Sequence, residues 1–222
     1  MRWCLIITGL IVTGAATAVA DDDIKLSGVE KPPEGLSDPV LAAVEAKGVQ
    51  VAGKAGPVCT IWLAKAFPLK PKFKPTLNIK YSLTPGQLIG ALQVQSDTFT
   101  DFRGQPIKPG IYTLRYGQQP TDGNHVGTSE LSDFLLAVPA ASDADPAVVK
   151  VPTLMKRSAK ATGSNHPAIF SLLPPEEKAV PLKLEHDAAK ELWIVLLAGS
   201  GTQGDNEVVV PLKLVVIGKS EG

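Results

Sequence analysis

Three histidines are the side chains best suited to ligand chemistry: His125 in TDGNHVGTS, His166 in GSNHPAIF and His186 in LEHDAAK. Neutral imidazoles on separate loops of a β-protein are able to assemble a type-2 copper or zinc site. None shows an H-x-H or H-E-x-x-H spacing, so the sequence alone does not bring them together. His125 and His166 each follow an asparagine in a glycine-containing turn, and Asp122 lies close to the first. The candidate binding residues are therefore Asp122, Asn124, His125, Asn165 and His166. A metal-dependent reading requires the ring nitrogens of His125 and His166 within about 5 Å of each other. The structural reading has those nitrogens bonding to backbone and fixing their loops, with His186 at a strand rim.

Other chemistry finds less support. Residues 199–204, GSGTQG, have the form G-x-G-x-x-G behind the apolar run ELWIVLLA. A dinucleotide site needs a helix beginning inside that motif and an acidic residue about 20 positions on. Here DNEVVVPLKLVVIG follows, with β-branched Val208, Val209 and Val210 and then Pro211, which would break a helix in its second turn. The glycines are expected to form a flexible hairpin loop, and no nucleotide or other cofactor is expected. ASDADP places Asp143 and Asp145 two apart without the further ligands and glycine of a calcium loop, so Asp145 reads as the cap of a turn before Pro146. There is no G-x-S-x-G elbow. Cys59, in VCTIWLA, reads as a small buried hydrophobe rather than a nucleophile. Trp62 and Trp193 fall inside apolar runs and read as core. Tyr112 and Tyr116 share a strand face and are the one aromatic pair able to serve a carbohydrate-binding module, provided both are exposed.

The elements that must carry these residues are short and β-prone. GVQVAG, VCTIWLA, TLNIKYS, LIGALQV, TFTDF, IYTLRYG, DFLLAV, AIFSLL, VPLKLE, LWIVLLA and VVVPLKLVVIG alternate with Gly, Pro and Asp clusters. Leu77, Ile79 and Tyr81 are expected on one face with Asn78 and Lys80 on the other, and Leu182 and Leu184 opposite Lys183 and Glu185. The last two runs are apolar on both faces, as central or doubly covered strands are. Two short helices are expected. The first is capped by Asp38, starts with Pro39 and ends at Gly48; the second lies near TLMKRSAKAT and is closed by Gly163. KAFPLKPKFKP, with Lys65, Lys70, Lys72 and Lys74, reads as an edge protected by Lys and Pro. The expected class is all-β, a two-sheet antiparallel sandwich of immunoglobulin-like type with one or two short helices.

The N-terminus MRWCLIITGLIVTGAATAVADDD has the layout of a secretory signal peptide: one cation, an apolar stretch too short to span a bilayer, then small residues ending in AVA. Cleavage after Ala20 is expected. The organisation is then residues 1–20 signal peptide, 21–37 a disordered mature N-terminus, and 38–220 a single domain. Without Arg2 the chain carries one more acidic than basic side chain, so net charge gives no reason to expect nucleic acid. Cys59 would be the sole remaining cysteine, which excludes an intramolecular disulfide.

The segment DFRGQPIKPGIYTLRYG, Asp101–Gly117, is similar to the PxGxYxL strand start of secreted bacterial immunoglobulin-like sandwiches. IYTLRYGQQPTDGNHVGTSELSDFLLAVPA together with LMKRSAKATGSNHPAIFSL resembles uncharacterised secreted bacterial proteins with no assigned activity. The resemblance implies the fold and brings no catalytic residues. The resulting expectation is an exported, non-catalytic binding or structural protein of the periplasm or cell exterior. It would not be membrane-embedded after signal cleavage, and a protein or glycan partner would sit on loops at one end. Alternatives are the His125–His166 metal site and a carbohydrate-binding module.

Overall fold

A computed structural model describes residues 24–119, 132–178 and 181–220. The protein is mostly β, built as one large, almost wholly antiparallel sheet that nearly closes into a barrel. The strands are β1 (Lys25–Val29), β2 (Gly48–Gly53), β3 (Gly56–Leu63), β4 (Phe67–Pro68), β5 (Leu88–Val94), β6 (Gly110–Gln118), β7 (Asp133–Pro139), β8 (Ala168–Leu173), β9 (Lys183–Asp187), β10 (Leu192–Gln203) and β11 (Asn206–Ile217). Two helices, α1 (Asp38–Ala43) and α2 (Val151–Thr162), pack outside the sheet. Among the described residues no helix is long and apolar enough to cross a membrane.

The hydrogen-bonded order is β1-β2-β3-β5-β6-β7-β8-β11-β10, after which β10 pairs with β9 along one part of its edge and with β4 along another. In chain order β8 is followed by β9, which pairs on the far side of β10, and β10 and β11 then return to β8. Contacts between β1 and β9 bring the two ends of the sheet together. The register gives the barrel two rims. The turns before β6 and β8 and the C-terminal end of β11 lie at the upper rim; the ends of β6 and β8, the start of β7 and the β10–β11 turn lie at the lower rim.

The interior is filled by side chains from around the barrel, among them Ile61, Leu92, Leu114, Tyr116, Phe170, Val195 and Leu214. Alternation places the intervening residues outside, where three smaller clusters cover them. Val40 and Val44 of the α1 region pack on Trp62, Leu88 and Ala91. Leu154 of α2 packs on Leu136 and Val138. Phe102 packs on Leu192, Ile194, Leu196 and Val215. This second covering explains why β10 and β11 read as apolar on both faces.

Several expectations change with the structure. Residues 25–29 form β1 instead of belonging to a disordered tail, because Leu26 and Val29 have apolar surface to meet. Ser37 rather than Asp38 is the N-cap of α1, and the helix ends at Ala43 because the chain then pairs with β3, Val44 bridging to Ala64. Helix α2 ends where expected, with Gly163 in the left-handed region at φ 66°. TLNIKYS is not a strand: Thr76 and Ile79 form a turn, leaving Leu77 86% exposed while Tyr81 is buried. Leu182 precedes β9 and is exposed.

GSGTQG is also resolved. Residues Gly199–Gln203 continue β10, and only Gly204 and Asp205 make the turn, with Gly204 at φ 61°. Gly199 and Gly201 are required by close packing instead. A Cβ on Gly199 would lie 2.2 Å from Cε2 of Phe67, and one on Gly201 would lie 2.5 Å from Cγ2 of Val210. Phe67 belongs to β4, which covers the edge of β10 beside Gly201 and is flanked by the lysine run. Gly199→Ala is expected to lower stability by about 1–3 kcal/mol through overpacking. Gly28→Ala, where nothing lies within 4 Å of the added carbon, is expected to change it little. Urea denaturation of the two variants checks both outcomes.

Candidate functional site

The candidate residues divide between the rims. Asp122, Asn124 and His125 lie outside the described residues, but the roots of their loop, Gln119 and Ser132, are bonded to each other at the lower rim. Asn165 and His166 sit at the upper rim, between α2 and β8, and both are exposed. The two Asn-His loops are thus rooted at opposite ends of the sheet. Among the described residues no group of three His, Cys, Asp or Glu side chains is arranged to hold a metal.

The upper-rim loop is held from beneath. Buried Asp101 accepts from the backbone N–H groups of Arg103 (2.9 Å), Gln105 (2.8 Å) and Ile169 (3.2 Å) and from Nε2 of Gln105 (2.8 Å). Four donors satisfy a carboxylate that would be costly to bury alone. Gln105 then joins the loops: its Nε2 also donates to the carbonyl of Pro167 at 3.3 Å, and its Oε1 accepts from Oγ of Ser164 at 2.8 Å. Ser158 of α2 donates to the carbonyl of Ala137 and accepts from the N–H of Ala168, tying the helix to β7 and β8. Thr162 donates to the His166 carbonyl at 2.9 Å, and the His166 N–H donates to Ser164 at 3.0 Å. Neighbouring hydroxyls therefore hold the histidine's backbone, a task the sequence assigned to the imidazole. An open depression of about 520 Å³ lies alongside, lined by Met155, Lys156, Ala159, Lys160, Ser164 and Asn165 among others.

Two further polar constellations are buried. Asp143 accepts from Oγ1 of Thr113, from Nε of Arg115 at 2.6 Å and from Arg157 at 3.1 Å. The fully buried Arg115 also donates to the carbonyls of Gly86 (2.8 Å), Ala147 (2.7 Å) and Asp145. Asp143 is thereby committed to cations and is not a calcium ligand, while Asp145 caps its turn by accepting from Ala147 N–H at 2.8 Å, as expected. At the lower rim Asp133 accepts from the hydroxyl of Tyr116 and from the N–H of Lys80 at 2.6 Å. Burial pushes the Asp133 carboxyl above its ordinary range, and burial together with this partner raises the Tyr116 phenol.

The remaining candidates are structural in their placement. Tyr112 and Tyr116 are buried core side chains, 6% and 0% exposed, which removes the exposed aromatic pair a carbohydrate platform on them would need. Trp62 is buried, and His186 stacks on Trp193 with ring centroids 4.1 Å apart. Cys59 is a fully buried free thiol pushed up to about 12 by desolvation, far from the thiolate a nucleophile requires. Asp101, Gln105, Arg115 and Asp133 were not singled out in the sequence. For Arg115 the signal was present, a lone cation inside the strand run IYTLRYG between Leu114 and Tyr116.

No family model, curated protein or solved structure matches this chain.

Removing the Arg115 guanidinium while leaving Asp143 buried, as in Arg115→Met, is expected to cost about 3–5 kcal/mol in urea unfolding. Asp133 gives a pH signature of definite sign. Its folded carboxyl binds a proton more tightly than the unfolded one, so its contribution to stability is full below the unfolded value and is lost as pH rises through the raised folded value. The stability difference between the native chain and Asp133→Asn is therefore expected to grow in favour of the native chain as pH falls. Urea titrations of both proteins across the acidic range measure it.

Proposed function

We propose that this is an exported, non-catalytic binding protein of the cell envelope that engages its partner through the upper-rim loops. The observation carrying this reading is the contrast at residues 163–167. The backbone is fixed by Asp101, Gln105, Thr162 and Ser164, yet Asn165 and His166 present their side chains to solvent. A polar loop that loses little conformational freedom on binding is suited to recognition. The site offers amide, imidazole and ammonium groups but no activated nucleophile or acid–base pair, which favours binding over catalysis.

The reading includes a secretory leader at residues 1–20, cleavage after Ala20 and a periplasmic or extracellular location, on the strength of the leader's charge and apolar pattern. It also takes the sheet as an immunoglobulin-like two-layer arrangement in which β8, paired with both β7 and β11, is the strand shared between layers. A protein or glycan is the partner class.

Capture of envelope components on the immobilised protein tests this. Asn165→Ala with His166→Ala is expected to change unfolding free energy by less than about 0.5 kcal/mol, both side chains being exposed. The same double variant should abolish capture of the main component. Unchanged capture would remove the loop from the site.

A further inference from the structure

We infer that the upper rim is a docking surface for a carboxylated polysaccharide, an inference that rests on the binding role proposed above and names its ligand class. The chain as a whole is neutral, but its charge is unevenly placed. Arg103 and Lys108 lie on the segment before β6, Lys156 and Lys160 on α2, and Lys219 just after β11; all five are exposed. Segments 102–109, 155–167 and 218–220 themselves hold no acidic residue, and the exposed Glu191 of the β9–β10 turn, which packs against Gly218, marks the border of the surface. The acidic residue that opens the first segment, Asp101, is buried and saturated by four donors, so its charge is turned inward. Asp97, on the preceding turn, is the nearest exposed acid in sequence on that connection.

These segments form one surface. Gln105 bonds Ser164 at 2.8 Å, joining the pre-β6 segment to the loop after α2. Lys219 Cδ lies 3.7 Å from the point where a Cβ on Gly104 would stand, joining the C-terminal segment to the same place. The depression beside Asn165 joins Lys156 and Lys160 to Ser164. Arg157, the sixth cation, is spent on Asp143, whereas no ion pair is formed by the other five among the described residues. Lys160 also offsets the negative C-terminal end of α2, leaving its neighbours to set the sign of the field.

The choice of polysaccharide over membrane follows from what lies between the cations. Interfacial binding to anionic lipid draws on large apolar side chains that enter the bilayer. The large hydrophobics that are exposed, Leu77, Val148, Val151, Leu182 and Val209, lie outside these three segments. Ser164, Asn165, His166 and Gln105 supply hydrogen-bonding groups instead, which suit hydroxyls and carboxylates of a hydrated sugar chain. The spread of cations along the rim fits a repeating anion better than a single one.

Calorimetric titration of the full mature chain with oligogalacturonate, neutral dextran oligomers and phosphatidylglycerol vesicles tests the inference. Binding is expected for oligogalacturonate alone, weakening as salt rises. Lys156→Glu with Lys160→Glu, and separately Arg103→Glu with Lys219→Glu, should each weaken it about tenfold, the loss of two exposed charge pairs. Lys70→Glu with Lys72→Glu, outside the rim, should leave it unchanged, and thermal midpoints should confirm that all variants fold. Equal loss in the Lys70/Lys72 variant, binding to vesicles but not to the oligosaccharide, or no binding to the oligosaccharide would overturn the inference. If envelope capture still depends on Asn165 and His166 in those cases, the broader binding role survives and only the ligand class is wrong.

Discussion

The fold depends most on a charge taken fully out of water. Arg115 projects from the outer face of β6 and is covered by the chain between β7 and α2, where the Asp143 carboxylate and the carbonyls of Asp145 and Ala147 accept its hydrogen bonds. Its remaining bond is to the Gly86 carbonyl, which also accepts from the Val149 N–H, and Gly86 takes φ 89° where a Cβ would stand 1.9 Å from the Val149 carbonyl oxygen. One guanidinium thus fixes the start of β5, the middle of β6 and the approach to α2. Arg157 extends the tie into the helix itself by pairing with the other oxygen of Asp143. The upper-rim loop and its lysines stand on a helix positioned by that pair, so the placement of the exposed groups is inherited from a buried one.

Much of the framework was legible in the sequence because local chemistry and tertiary demand agree there. Pro152 and Gly163 frame α2 with the fixed φ and the left-handed residue that helix ends require. The runs GVQVAG, LIGALQV and AIFSLL become β2, β5 and β8 because each finds neighbours on both sides. Where the two demands conflict, local pattern loses. TLNIKYS alternates like a strand, yet Tyr81 leaves that alternation to donate to the Leu173 carbonyl and accept from the Lys213 N–H, tethering the segment between β8 and β11. The polar N-terminal stretch has few apolar residues, but Leu26 and Val29 are sufficient once a sheet edge exists to receive them.

The candidate site was legible only in part, for a different reason. Asn165 and His166 stand out as polar residues in a turn, and they are exposed as that suggests. The support beneath them cannot be read locally, since Asp101 and Ile169 are distant in sequence and meet only after the sheet forms. Net charge misled in the same way: the sum over the chain is zero, yet Arg103, Lys108, Lys156, Lys160 and Lys219 are exposed at one rim while the Asp101 carboxylate beneath them is buried under four donors. The glycines of GSGTQG stand out in the sequence without showing their separate causes. Gly199 makes room for the ring of Phe67, Gly201 for Val210 and Leu69, and only Gly204 serves the turn.

The meeting of β1 with β9 has a bearing on how the molecule comes into being. These edges are separated by more than 150 residues of chain, and β9 in turn is held in place by the β10–β11 ribbon docked on β8. The approach of β1 to β9 must therefore await delivery of the chain as far as β11. Until then the half-made sheet exposes two raw margins and an uncovered oily trough. Contacts so distant along the chain make for slow maturation, a period in which a nascent molecule is open to helpers, to proteases and to its own kind.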